Sequence, residues 1–329
     1  MASPRRSVLA ALVALVAVLL GSIPSGAQVA DVGAAQTQIC DNPARTVSLF
    51  ATRIGPRKVG YGLTPGNPTV PGPTIEMTEG ECIAINLVND SNIRVGIHAH
   101  GVEYTVFSDG TPVNASCVPP GRSRTYLFSS HLPVVRTDGT IDPGNAGYWH
   151  YHDHCAGTPH GTLGLKRGLF GALIVRRPGD PVPDRPPFVV VMGPGQKINL
   201  QKAPNIRMFK ANQGQRIEFV VIGHGDEFHT FHLHGHRWAN TRTGYITDLK
   251  DTARLIDNRT VGPADSFGFQ VVAGERVGPG AWMFHCHVQF HSDGGMVSLL
   301  LVRTPDGRVT PQEKAAVRRF KKQEGHGGH

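Results

Sequence analysis

After its first twenty residues the chain has no apolar run approaching eighteen residues, so nothing later in it reads as a membrane-crossing helix. Stretches of helical periodicity are few. Forty glycines and twenty-five prolines stand in their place, and chains punctuated in this way build short strands joined by turns. Only five cysteines are present, too few for a disulfide-framed miniature fold, and 329 residues with 40% hydrophobic content can bury a core without such staples. Acidic residues are outnumbered, 25 against 33 lysines and arginines, for a formal charge of +8. The basic residues are scattered, with no RNA-binding signature and no interleaving of aromatic and basic side chains. That pattern argues against a nucleic-acid partner and for an ordinary solvated surface.

Residues 1–27 read as an export signal. Basic Arg5-Arg6 precedes an apolar run from Val8 to Leu20, and Ser25-Gly26-Ala27 forms a small-residue cleavage site. Pro4-Arg5-Arg6-Ser7-Val8-Leu9 also resembles a twin-arginine signal, the route for proteins exported already folded. A secreted, extracellular protein is expected, and its cysteines fit that oxidising destination. With Cys286 reserved for metal, Cys40, Cys82, Cys117 and Cys155 allow three pairings, which the sequence does not resolve. The favoured one joins Cys40 to Cys82, tying the chain's start to an early strand, and Cys117 to Cys155, bracing the loop beside His150 and His152. Free buried thiols are the alternative.

The chemistry is carried by four histidine runs. They are His98-Ala99-His100-Gly101, Trp149-His150-Tyr151-His152, His229-Thr230-Phe231-His232-Leu233-His234-Gly235, and His285-Cys286-His287 followed by His291 and Met296. In an extended strand side chains alternate faces, so both histidines of an H-x-H pair project the same way. Cys286 must then face away from His285 and His287, and His229, an odd offset from His232, away from His232 and His234. The spacing thus sorts the donors into eight histidines on one side and His229, Cys286, His291 and Met296 on the other.

The runs also expose a duplication. His98-x-His100 is followed 52 residues later by His150-x-His152, and His232-x-His234 is followed 53 residues later by His285-x-His287. An apolar run and a turn come after each second pair, and between the halves lies the proline-dense segment from Arg177 to Pro187. The expected organisation is a β-sandwich at 40–178, a linker at 179–187, a second sandwich at 188–305, and a basic tail at 306–329. Alternation at Ile83, Ile85 and Leu87, and at Ile217, Phe219 and Val221, supports strands in both halves. The tail reads as a short basic helix from Pro311 to Lys322, then a segment ending in His326 and His329 without core-forming residues.

Two histidines, a cysteine and an axial methionine are the donor set of a blue-copper electron-transfer centre, and the spacings do not match structural zinc motifs. The first half lacks this set, because Tyr151 stands in the place of Cys286 and Val95 in the place of His229. Eight further histidines are too many for one ion and suit a cluster of three. At this point the chain, from about Arg45 to Pro305, resembles the small two-domain bacterial laccases of the multicopper oxidase family. The resemblance implies an all-β fold of two cupredoxin-like Greek-key sandwiches in tandem and a full copper complement. Type 1 copper would use His229, Cys286, His291 and Met296; type 2 copper, His98 and His232. One type 3 ion would use His100, His150 and His287, the other His152, His234 and His285.

It also implies one-electron oxidation of phenols or aromatic amines, with electrons accepted at the His291 edge, coupled to four-electron reduction of O2 to water. Asp109 matches a family carboxylate that relays protons, although Ser108-Asp109-Gly110-Thr111 reads equally as a turn; Tyr104 matches a tyrosine near the type 2 copper, with a core tyrosine as the alternative. Asp257 reads as a buried structural carboxylate, or as a group orienting a ligand histidine or water. His154, His160, His224 and His236 lie beside ligands without fitting their pattern. Because the cluster needs histidine pairs from both domain types, the resemblance implies a homotrimer with clusters between subunits. The competing readings are a cuprous or other metal-ion oxidase, disfavoured by only six unclustered methionines, a copper nitrite reductase, and a non-enzymatic copper carrier.

Overall fold

The computed structural model describes residue 40 and residues 42–325, so the expected export signal and the terminal His326 and His329 lie outside the described residues. Each half of the chain forms two sheets packed face to face. In the first half, strand Arg45–Ile54 pairs antiparallel with Lys58–Gly62 and parallel with Cys82–Asn89, which carries Ser123–Ser129 on its other edge. The facing sheet runs Gly72–Thr78, Phe170–Arg176, Gly147–His152, His98–Ala99. The second half repeats the plan. One sheet runs Lys197–Ile198, Phe188–Gly193, Arg216–Gly223, Ser266–Val272; the other runs Phe209–Asn212, Val297–Arg303, Gly280–Cys286, His229–Leu233, Asn258–Val261. Each of these four sheets contains one parallel pair among antiparallel ones, the mark of strands that return across the sandwich in Greek-key fashion.

Period-two alternation explains why these segments become strands. Ile83, Ile85, Leu87, Ile217, Phe219 and Val221 are all fully buried between their sheets. Each such side chain contributes about 1.5–3 kcal/mol on leaving water. Tyr151 and Val95, the first-half counterparts of Cys286 and His229, are buried in the first core and pack there as structural residues. Cys40–Cys82 and Cys117–Cys155 form the two disulfides, leaving Cys286 as the free cysteine among the described residues.

The sandwiches meet through their outer faces. Tyr148, Phe170 and Ile174 of the first pack against Val191, Val220 and Ile222 of the second. Beside that apolar patch the fully buried Glu218 accepts hydrogen bonds from Tyr148 Oη at 2.7 Å, Gln270 Nε2 at 3.0 Å and the Arg176 guanidinium at 2.8 and 3.0 Å. The tail forms the helix Pro311–Gly325, longer than the expected one. Phe320 and Val317, three residues apart on one face, dock on Val297, Leu299 and Leu301. No helix among the described residues is long and apolar enough to cross a membrane.

Candidate metal centre

The strand His229–Leu233 alternates as the sequence implies: His229, Phe231 and Leu233 are buried, Thr230 and His232 partly exposed. It pairs with Gly280–Cys286 so that Phe231 opposes Cys286 and His232 opposes His285. One face of this two-strand unit therefore carries histidines outward, and the other carries His229 and Cys286 into the second core. The short helix Gln289–Asp293 then turns His291 back over Cys286, and Met296, fully buried, is pinned by backbone hydrogen bonds to His291 O and Cys286 N.

In this inner set His229 Nδ1 and His291 Nδ1 are 3.2 Å apart, and Cys286 Sγ lies 3.8 Å from the first and 3.5 Å from the second. A triangle with those sides has its centre about 2 Å from each corner, the length of metal–imidazole and metal–thiolate bonds. Burial holds the His229 imidazolium down to about 4, aided by His291, so its lone pair is free at neutral pH. Burial also pushes the Cys286 thiol up, so a thiolate there calls for a cation. These donors fit a soft, blue-copper-type ion.

The outward histidines form two sets, one per sandwich. In the first, His100 Nε2 and His152 Nε2 are 3.1 Å apart, the His150 ring stacks on His100 at 4.0 Å, and both His150 nitrogens are buried without a partner. In the second, His234 Nε2 and His285 Nε2 are 3.1 Å apart, with His232 and His287 rings within 5.4 Å of one another. The orienting bonds are duplicated too. His98 Nδ1 donates to Asp109 O at 2.8 Å and His232 Nδ1 to Asp257 O at 2.8 Å; His152 Nδ1 faces Asp153 O and His285 Nδ1 faces Cys286 O. A carbonyl on Nδ1 fixes the tautomer and leaves Nε2 as the donor to a metal. Burial drives His150 and His152 well below the ordinary imidazole value and His100 to about 4, the state a ligand requires.

Gly101 and Gly235, which close the two H-x-H-G runs, both sit at positive φ, and a Cβ on either would strike the ring of Trp149 or Trp282. Only glycine lets the backbone turn there while a tryptophan floor backs the histidines. Among the described residues no ring contact joins the first histidine set to the second. Each sandwich holds half of a larger donor array.

Of the accessory residues, Asp109 Oδ1 lies 3.4 Å from His98 Nδ1, while its Oδ2 accepts from Thr111 Oγ1 and from Asn114 Nδ2 at 2.6 Å. It is both a turn residue and a carboxylate beside the histidine. Tyr104 stands edge-on to His98 at 5.8 Å and packs against Phe128 at 6.0 Å, so it too occupies both places. Asp257 differs: its side chain is 56% exposed, which corrects the expectation of a buried structural carboxylate, and it orients His232 through its backbone carbonyl at 2.8 Å, with its carboxylate oxygen farther off at 3.9 Å. His154 packs on His98 and His152, each at 4.7 Å. His160 lies farther out, 6.2 Å from the His154 ring. His236 is buried, donating from Nδ1 to His234 O and accepting at Nε2 from Gly274 N, each at 2.9 Å.

His224, expected only beside the ligands, proves to pack against the first set, and one group, Glu227, escaped the sequence reading. His224, from the second sandwich, is buried 5.0 Å from His150, with its Nε2 unpartnered, and burial beside His100 holds it down to about 3. No spacing rule connects it to that site. Glu227 places Oε1 3.8 Å from His291 Nε2, the edge turned away from Cys286, while its Oε2 is buried without a hydrogen bond. Its position two residues before His229 puts it on the same side of the strand's extension, a signal the sequence did contain.

Profiles of multicopper oxidase domains match residues 182–306 and 62–180. The chain is 36% identical over 265 residues to a probable nitrite reductase-hydroxylamine oxidoreductase fusion protein of Kuenenia stuttgartiensis, covering 74% of this chain and 28% of that protein. It is 33% identical over 169 residues to Laccase-24 of Oryza sativa subsp. japonica, covering 49% of this chain and 26% of that one. The chain thus spans about a quarter of the length of these curated relatives. Its fold is shared with a blue copper oxidase from Nitrosomonas europaea at TM-score 0.55 and 22% identity, over 82% of this chain and 94% of that one.

Proposed function

The chain belongs to the multicopper oxidase family, and from that premise we propose that it is a laccase-type oxidase, removing one electron at a time from phenols or aromatic amines and reducing O2 to water. Four donors each lose one electron and one proton, and one O2 takes up four of each to give two waters. Copper, when bound, supplies the one-electron couple and the oxygen chemistry. The observation that carries the reading is the strand Gly280–Cys286, which places Cys286 in the inner donor set and His285, its covalent neighbour, in the outer one. Adjacent peptide units of one strand then connect the two sets.

The chain's own groups divide the remaining work. His291 turns Nδ1 inward and Nε2 outward, so that edge accepts electrons from a donor. Glu227 beside it, with Phe228 and Phe290 exposed at 67% and 68%, forms the donor's seat: a carboxylate for a hydroxyl or amino group and two rings for an aromatic face. The rings favour an aromatic donor over a hydrated metal ion, which would call for several oxygen ligands. Asp109 holds a proton-accepting oxygen beside His98. His98 and His232 are assigned to type 2 copper, His100, His150 and His287 to one type 3 ion, and His152, His234 and His285 to the other.

Because the two histidine sets stay apart within the chain, the first sandwich of one copy completes its array with the second sandwich of a neighbour, most simply in a homotrimer. Light scattering that finds the copper-loaded protein active as a monomer would overturn this arrangement. The name of the Kuenenia relative favours nitrite reduction as a second reading. Tyr151 and Val95, packed in the first core, argue against it, since that reading places the blue-copper donors in the first domain. Oxygen uptake with a phenol, in the parent and in Cys286→Ser, tests the proposal: the variant should lose turnover, and undiminished uptake would defeat it. Nitric oxide formed from nitrite with no oxygen uptake would favour the second reading.

A further inference from the structure

Away from the histidines, a groove of about 730 Å³ runs between the two sandwiches. The first contributes Val70 and Pro71, ahead of strand Gly72–Thr78; the linker contributes Arg185, and the second sandwich contributes Phe188, Arg207 and Phe209. No aspartate or glutamate lines it. Elsewhere several arginines pair with carboxylates, as in Arg45–Glu81, Arg136–Asp142, Arg177–Glu79 and Arg242–Asp180. Here two guanidinium groups share one groove with no counter-ion. Arg185 gives Nη1 to Lys210 O and lies over the Phe188 ring at 4.7 Å, but its Nε is buried with no acceptor. A buried unpaired donor on a cation costs stability unless something supplies the acceptor. Burial and the charge of Arg207 both press the Arg185 guanidinium below its ordinary value, the mark of two cations held close.

The rest of the lining mixes polar side chains, among them Thr69, Thr74, Asn199, Gln201 and Asn205, with prolines and two phenylalanines at its core side. Phe188 and Phe209 stack at 4.4 Å and 16°, and the prolines frame them. Planar fork-like donors match a carboxylate, and an aromatic floor matches a ring. A space of this size at a domain boundary is of the kind that takes a small organic ligand. We propose that this groove is a binding site for a small aromatic carboxylate, its carboxylate held by Arg185 and Arg207 and its ring against Phe188 and Phe209. A ligand seated there touches both sandwiches and so stabilises their association, binding the folded chain and not the unfolded one. Nothing in this assignment depends on the oxidase reading.

The probe is 2-naphthoate, which has no phenolic hydroxyl to oxidise, titrated calorimetrically into the copper-loaded protein beside neutral 2-naphthamide and inorganic phosphate. Naphthoate should bind and raise the melting temperature; naphthamide, Arg185→Gln and Arg207→Gln should each weaken binding about tenfold or more, as expected for losing a charge-assisted bond. Without ligand, Arg207→Gln should melt no lower than the parent, because it relieves like-charge repulsion. Unchanged naphthoate affinity in both variants, equal affinity for the amide, or displacement by phosphate at equal concentration would overturn the assignment.

Discussion

Replacing Glu227 by glutamine removes a negative charge 3.8 Å from His291 Nε2 while keeping the side chain's shape. A donor cation seated about 4 Å from that carboxylate gains about 1 kcal/mol if the gap behaves as water and about 4 kcal/mol at an effective dielectric of 20. Glu227 is 41% exposed, which places the gain toward the lower end, about 1–2 kcal/mol, or roughly 5- to 30-fold in kcat/KM. An anionic donor feels the opposite sign. The assay compares two phenols alike except for a trimethylammonium or a sulfonate substituent, with oxygen uptake as the readout. In Glu227→Gln the preference for the cationic phenol should fall by at least the single-donor factor. In 1 M salt, where the screening length is about 3 Å, parent and variant should converge. A preference ratio unchanged by the substitution would refute the reasoning, because the carboxylate would then act on the protein and not on the donor.

Asp109→Ala should slow reoxidation of the fully reduced, copper-loaded protein by O2 about 100-fold or more, while anaerobic bleaching of the blue absorbance keeps its rate. Equal reoxidation rates in stopped flow would remove Asp109 from the relay. Glu218→Gln removes the fully buried partner of Arg176, but Arg176 is 20% exposed and retains Glu76 at 2.8 Å, so a loss of about 2–3 kcal/mol is expected in urea unfolding, below the 3–5 typical of an abandoned buried charge. A change under about 0.5 kcal/mol would show that the sandwiches do not depend on this pair. In the metal-free protein His100, His224 and His229 hold folded-state values of about 4, 3 and 4 against an unfolded value near 6.5, so their stability contribution is present above 6.5 and is lost as pH falls through those values. Asp153, raised to about 6 by burial, opposes them: its contribution is present below the ordinary carboxylate value and is lost as pH rises through 6. His131, held up by its bonds to Asp142 and Glu103, acts in the same sense as Asp153, but the lowered histidines, which also include His150 and His152, outnumber these two, so the urea midpoint should drop from pH 7 to pH 5; a rise would contradict the sign.

Much of the site was legible in the sequence because a strand's two-residue period is imposed by backbone geometry. Cys286 had to leave the face of His285 and His287, and it does, into the core that also receives His229 and Met296. The duplication was legible for the same reason, since each half repeats its pairs and apolar runs. Asp257 shows the limit: a carboxylate between a strand and a ligand looked structural, yet the chain uses its carbonyl and leaves the acid in water. The tail helix was foreseen, but its docking through Val317 and Phe320 was not, because a basic composition hid a short apolar face.

The sequence by itself determined the donor inventory, the side of its strand on which each donor falls, and the asymmetry that leaves Tyr151 and Val95 where the second half has Cys286 and His229. Those properties are local and follow from covalent spacing. Only the tertiary structure decided that His229, Cys286 and His291 converge around one point, and that the outer histidines divide into two sets that do not meet within one chain. It also decided that Glu227 lies beside the Nε2 edge of His291, that His224 joins the first set, and that Arg185 and Arg207 share a groove. Those relations arise where strands distant in sequence are packed against one another, and packing sets distances that no spacing along the chain can encode.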